Sequence, residues 1–297
     1  MGTSSLNRIA AVSTYLIGPA NVRLYGAPFN WSLAPLQVAG DEINAPGLMK
    51  HLAQAALEAD LLPYSYIWAP NPSAFNAKVV DATDKTFPEV VGNDYIHIRR
   101  GVDADGVVVP HGHSGMIASA DCPTIVVTNK SVGVIMAHAG RDSLIDRVAL
   151  QEIREPRHHF SVVDAIAERI PPNVRGQTEV FITCGIGADH FAHPVGGTNE
   201  SGESVVNLHN VTLRDYLIGL GKDCLYGDPD QVKISLPHVI QAQFHRHGIT
   251  DVSWDSIDTY GDREEIGRYH RYPWHSSRRG RNPGEKQYRN LVLVTHH

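Results

Sequence analysis

Apolar residues in the middle of this chain come in short, nearly unbroken runs separated by polar or glycine-containing turns. Residues 106–109, 116–120 and 132–137 are apolar, the first and last rich in Val, the composition of strands buried on both faces. Residues 66–68, 78–80, 95–98, 180–184, 249–257 and 291–294 predict further strands. The first 40 residues, broken by Gly18-Pro19, Gly26, Pro28 and Pro35, predict two or three more. The period turns helical over residues 47–62, where Leu48, Leu52, Ala55, Ala56 and Ala59 share one face. Helices are also expected over 142–153, 162–170 and 213–220, and over 229–246 with an interruption near Pro237 and a stop at His247-Gly248. Residues 196–202 are expected as a loop. No repeat or linker divides the chain, so residues 1–297 are expected to form one α/β domain with a mixed sheet flanked by helices.

Composition narrows the classes. Hydrophobic content is 42%, charged content 20% and net charge −6, which argues against a broad nucleic-acid footprint. No apolar run reaches the roughly 18–20 residues of a membrane span, and the N-terminus lacks a signal-peptide layout. Three cysteines are too few, and odd in number, for a disulfide framework, so a reducing cytoplasm is expected. His296 and His297 are expected to be the remnant of a purification tag.

Candidate chemistry gathers where two apolar runs end. The first delivers Asp121-Cys122-Pro123, the second His138-Ala139-Gly140-Arg141. His138 follows Cys122 by 16 residues, the interval of a strand, a turn near Asn129-Lys130-Ser131 and a return strand. Thiol and imidazole can therefore be neighbours, either as a zinc pair or as a nucleophile and its base; spacing does not choose. Arg141, at the start of an expected helix, suits phosphate or a carboxylate, or else pairs with Asp142 or Asp146. Arg278, Arg279 and Arg281 form a basic cluster with His270, His275 and Tyr269, either contacting phosphate and purine or forming a polar loop. Gly185-Ile186-Gly187 is a turn and not a dinucleotide fingerprint.

The segments Ser119-Ala120-Asp121-Cys122-Pro123 and Ala137-His138-Ala139-Gly140-Arg141 resemble the signature of the laccase-domain family, also described as YfiH-like or multicopper polyphenol oxidase-like. The stretches 103–108, 184–191 and 276–281 are similar, in order, to other family segments. The resemblance is to a divergent member. It implies an α/β fold related to cysteine hydrolases, and purine nucleoside chemistry: phosphorolysis or deamination of adenosine or inosine. It also implies a zinc, or copper under older labels, held by two His and one Cys. On that reading Cys122, His138 and Arg141 are catalytic, Arg278 and Arg279 bind nucleoside or phosphate, and Cys122 and His138 ligate the metal.

The sequence departs from that pattern where the family places its first metal histidine. The matching stretch, Trp68 to Asn76, has no His, and the Trp of the family's His-Ala-Gly-Trp-Arg run is missing. His113, in Pro110-His111-Gly112-His113, is the substitute carried as third ligand; His97, His111, His190 and His193 are further candidates. Two alternatives stand beside the metalloenzyme: a metal-free cysteine hydrolase or amidase using Cys122 and His138, and a non-catalytic ligand-binding relative.

Overall fold

Three layers follow from the way the central strands alternate. The computed structural model describes residues 13–27, 31, 52, 66–92, 97–151, 153, 157–198, 201–266, 269–278 and 289–297. The strands in chain order are β1 (Ser13–Ile17), β2 (Ala20–Tyr25), β3 (Tyr66–Trp68), β4 (Val79–Asp81), β5 (Glu89–Gly92), β6 (His97–Arg100), β7 (Gly106–Val109), β8 (Ser114–Ser119), β9 (Thr124–Asn129), β10 (Gly133–His138) and β11 (Glu179–Thr183). They continue with β12 (Gly196–Thr198), β13 (Ser204–Val206), β14 (Leu225–Tyr226), β15 (Lys233–Ile234), β16 (Asp251–Trp254), β17 (Glu264–Ile266), β18 (Tyr269–Arg271) and β19 (Asn290–His296). The helices are α1 (Arg141–Leu144), α2 (Arg147–Leu150), α3 (Val162–Arg169), α4 (Leu208–Leu220) and α5 (Leu236–Arg246).

The α/β class and mixed pairing are as expected, but the strands divide between two large sheets rather than one. A seven-stranded sheet runs β1-β2-β19-β8-β3-β6-β5, and a six-stranded sheet runs β16-β11-β9-β10-β7-β4. Each contains both parallel and antiparallel pairs. Val126, Val134 and Met136 of the six-stranded sheet pack with Val22, Leu24, Val292 and Val294 of the other sheet. Their neighbours Ile125, Val127, Ile135 and Ala137 pack with Val162 and Ile166 of α3 and with Val239, Ile240 and Phe244 of α5. The middle sheet is thus covered on both faces, which is why its strands read as continuous apolar runs. Each fully buried aliphatic side chain there contributes about 1.5–3 kcal/mol.

Several elements differ from expectation for local reasons. The single helix expected over 142–153 is two short helices. Ile145 is extended, and the Asp146 side chain accepts a hydrogen bond from Ala149 N to cap a new start. Pro237 does not interrupt a helix; it occupies the first turn of α5, where its missing N–H costs nothing, and a 3₁₀ turn (Pro229–Gln231) and β15 precede it. The loop expected over 196–202 contains β12, paired with β13. The expected helix over 47–62 lies outside the described residues apart from the buried Leu52. His296, expected as tag remnant, pairs with Ala20 inside β19 and donates from Nδ1 to Val109 O at 2.8 Å.

Candidate active site

Cys122 stands where the chain leaves one sheet for the other. β8 ends in the seven-stranded sheet at Ser119, and β9 begins in the six-stranded sheet at Thr124. The β9–β10 hairpin then pairs His138 with Thr124, two residues past the thiol. The crossing is tied down from several sides. Ser119 Oγ donates to Cys122 O at 2.7 Å, and Ile186 N to Asp121 O at 2.9 Å. The buried Asp121 carboxylate accepts from Thr259 Oγ1 at 3.0 Å, from Arg278 N at 3.1 Å, and from Ser277 Oγ.

The sulfur faces the imidazole. A Cβ added at Gly140 would sit 2.8 Å from Cys122 Sγ and 3.3 Å from His138 Nε2, so a glycine is needed there to let the two groups share that space. The other ring nitrogen is already committed. His138 Nδ1–H points at Asp105 Oδ1 and Ser143 Oγ, each 3.2 Å away, and Ser143 Oγ donates to Asp105 Oδ1 at 2.6 Å. Ala77 N donates to the second Asp105 oxygen at 2.7 Å. Asp105 is 0% exposed. It is brought beside His138 because Gly106 lets β7 approach β10 closely: a Cβ there would lie 2.8 Å from the Ala137 Cβ. Burial by itself lowers the His138 pKa. The adjacent Cys122 sulfur and the Asp105 carboxylate outweigh it and raise the pKa to about 9, so the ring holds a proton at neutral pH. Cys184 and Cys224 are fully enclosed, and burial raises both thiols above the ordinary range. Cys122, only half-buried, is the accessible one of the three.

Basic and aromatic side chains surround the pair. The Arg141 guanidinium grips Asp142 through two bonds of 3.1 Å and donates to His193 Nδ1 at 3.0 Å. Helix α1 begins at Arg141, as expected, but runs for only four residues. Arg278 lies with its guanidinium carbon 4.9 Å over the Phe191 ring. Arg289, at the end of the chain before β19, loses basicity to burial, opposed by Cys122 and Asp121. Phe75, held at φ 43°, sets its ring 5.8 Å from that of His138. Burial, then the cations Arg141 and Arg278, depress the His193 pKa to about 3. The unfolded chain, with an ordinary pKa near ~6.5, binds that proton first. The His193 contribution to stability is thus present above pH ~6.5 and lost as pH falls toward 3. Thermal melts between pH 7 and 5 should show a smaller decline in His193→Asn than in the parent; equal declines would remove this account.

The sequence candidates separate in space. Cys122, His138, Arg141 and Arg278 belong to one region; Arg279 lies outside the described residues. His113 sits at the far end of β8 from Cys122, a six-residue strand of about 20 Å. Its Nδ1 accepts from Tyr66 N at 3.0 Å, so it does not reach the thiol. His97 lies near Tyr66, His111 against His296, and His190 beside Asp258. Among the described residues one group of three donors is close enough to hold a metal, His158, His159 and Glu168, and it includes neither Cys122 nor His138. Catalytic zinc takes three protein ligands. The described residues supply two at the thiol, and the stretch from Trp68 to Asn76 delivers the Phe75 ring to His138 in place of a donor atom. Among the described residues the donor set around Cys122 is thus one ligand short of a catalytic zinc site. Sequence reasoning missed Asp105 and Ser143 as partners of His138. An Asp-Gly opening a valine run was the available signal for the first.

The sequence matches no protein-family model and none of the curated proteins compared. Solved structures are alike in fold. The structure of Bacillus licheniformis YfiH superposes with a TM-score of 0.62 at 15% identity, covering 98% of each chain. YlmD from Geobacillus stearothermophilus gives 0.60 at 17% identity, covering 95% of this chain and 94% of that one. A Neisseria meningitidis protein of the family DUF152 gives 0.59 at 13%, covering 96% and 98%. The fold is that of the YfiH-like proteins. No helix of the described residues is long and apolar enough to cross a membrane.

Proposed function

We propose that the chain is a cysteine-dependent enzyme acting on a small, anion-bearing substrate, with Cys122 as nucleophile, His138 as its acid and base, and Asp105 as positioning residue. The observation that carries this reading is the line Asp105–His138–Cys122. A buried carboxylate fixes one ring nitrogen, and the other faces the sulfur. With an acyl or amide substrate, the Cys122 thiolate forms a C–S bond to the carbonyl carbon. The bond to the leaving amine or alcohol breaks as imidazolium His138 hands it a proton. Water then attacks the thioester, giving its proton back to His138 and releasing the acid. Arg141, Arg278 and Arg289 supply the positive surroundings that a carboxylate or phosphate on the substrate would meet.

Those arginines, with the ring faces of Phe75 and Phe191, also favour a second reading: phosphorolysis or deamination of adenosine or inosine, the activity implied by the family resemblance. One set of measurements separates the two. Iodoacetamide at neutral pH is expected to label Cys122 once per chain, and chelator to leave the rate unchanged. Cys122→Ala is expected to abolish both labelling and turnover of ester or amide substrates. Nucleoside turnover that needs phosphate and is lost on chelation would overturn the cysteine reading. Ligand binding that survives Cys122→Ala, with a parent inert toward every substrate, would leave a binding protein.

A further inference from the structure

Three metal-binding side chains meet on the surface beside α3, outside the thiol site. His158, His159 and Glu168 each offer a ligand atom, and those atoms lie within 4.8 Å of one another. The two imidazole rings are 4.3 Å apart, centre to centre, and His159 Nε2 pairs with the Glu168 carboxylate. The support beneath them is built rather than loose. Ser161 caps α3 in a reciprocal capping box with Asp164, which fixes the helix that carries Glu168. Arg157 anchors the segment bearing the histidines. Its guanidinium donates to His159 O at 2.9 Å, Phe160 O at 2.7 Å, Asp142 O at 2.9 Å, Ser143 O at 3.3 Å, and Phe75 O.

We propose that His158, His159 and Glu168 form a binding site for a divalent transition metal, zinc foremost. Two imidazoles and one carboxylate are a donor set that zinc accepts, with water in the fourth position. Tetrahedral bonds of about 2.0–2.2 Å hold neighbouring donors about 3.3–3.6 Å apart. A slight opening of the His159–Glu168 pair admits the ion, and the exposed His158 ring reaches it by a rotamer change. The ion joins the 157–161 segment to α3. Through Arg157 that segment touches the backbone of Phe75, Asp142 and Ser143, so the site stands behind the wall of the thiol centre without supplying a group to it.

The test uses the full chain, stripped with chelator and titrated with zinc chloride by calorimetry. One equivalent is expected to bind, and a hundredfold excess over Kd is expected to raise the thermal midpoint by about 5 °C. His159→Ala and Glu168→Gln should each weaken binding about tenfold or more, while Cys122→Ala leaves it unchanged. The Gln variant preserves the shape of an exposed helical side chain, so its folding is not at stake; its apo midpoint serves as the control. No zinc uptake by the parent, undiminished uptake in both site variants, or loss of uptake in Cys122→Ala would each overturn the proposal. The cysteine reading is judged separately, by labelling and turnover with chelator present.

Discussion

Asp105→Ala should destabilise the protein by about 3–5 kcal/mol, because it removes one member of a buried charged network and strands the rest. For a chain of this size that corresponds to a fall of roughly 5–8 °C in the thermal midpoint. Three donors converge on this carboxylate: Ala77 N, Ser143 Oγ and His138 Nδ1. It is closed off from bulk solvent, since Asp105 is 0% exposed. Asp105→Asn separates the chemical effect from the structural one. The amide fills the same space but turns one acceptor into a donor, so His138 loses the partner that fixes its tautomer. Alkylation of Cys122 and any turnover should then fall by about 10²–10⁴, with a midpoint closer to the parent's. An Asn variant whose thiol reacts as fast as the parent's would remove Asp105 from the mechanism.

Gly140→Ala should part the thiol from the imidazole while leaving the backbone at ease. Gly140 has φ −68° and ψ 163°, a conformation open to any residue, so no strain arises from the main chain. The new methyl carbon would lie 2.8 Å from Cys122 Sγ and 2.9 Å from His138 Cε1, closer than carbon and sulfur can approach. The side chains must move apart, at an overpacking cost of about 1–3 kcal/mol. Separation weakens the attraction that raises the His138 pKa to about 9, so the ring should titrate nearer its ordinary value. Histidine proton resonances followed against pH would report this directly. A parent-like His138 titration and parent-like labelling in Gly140→Ala would show that the two groups do not depend on that shared space.

The strand order near the site was legible because it is local. A β-rich run, a three-residue turn and a second such run can only return on themselves, so Cys122 and His138 could be placed together from their spacing. The resemblance to the laccase-domain family named the fold that the YfiH and YlmD structures share. That His113 would not serve as a third ligand was not legible. His113 follows Gly112 and precedes the Cys122 strand, which looks close in sequence, but β8 is extended and separates the two by its whole length. The helix assigned to 142–153 failed at Asp146, whose side chain offers the backbone a better partner as a cap than as a helical residue.

By itself the sequence determined the central strands, the hairpin and the nearness of sulfur and imidazole, since each depends on residues close together along the chain. Tertiary structure decided what surrounds them. Asp105 reaches His138 because β7 pairs with β10, and Asp121 is held by Thr259 and Ser277 from segments more than a hundred residues away. Arg141 meets His193 across 52 positions. Such contacts are set by the packing of two sheets and a helical layer, and no periodicity along the chain encodes which distant side chain arrives at a given point in space.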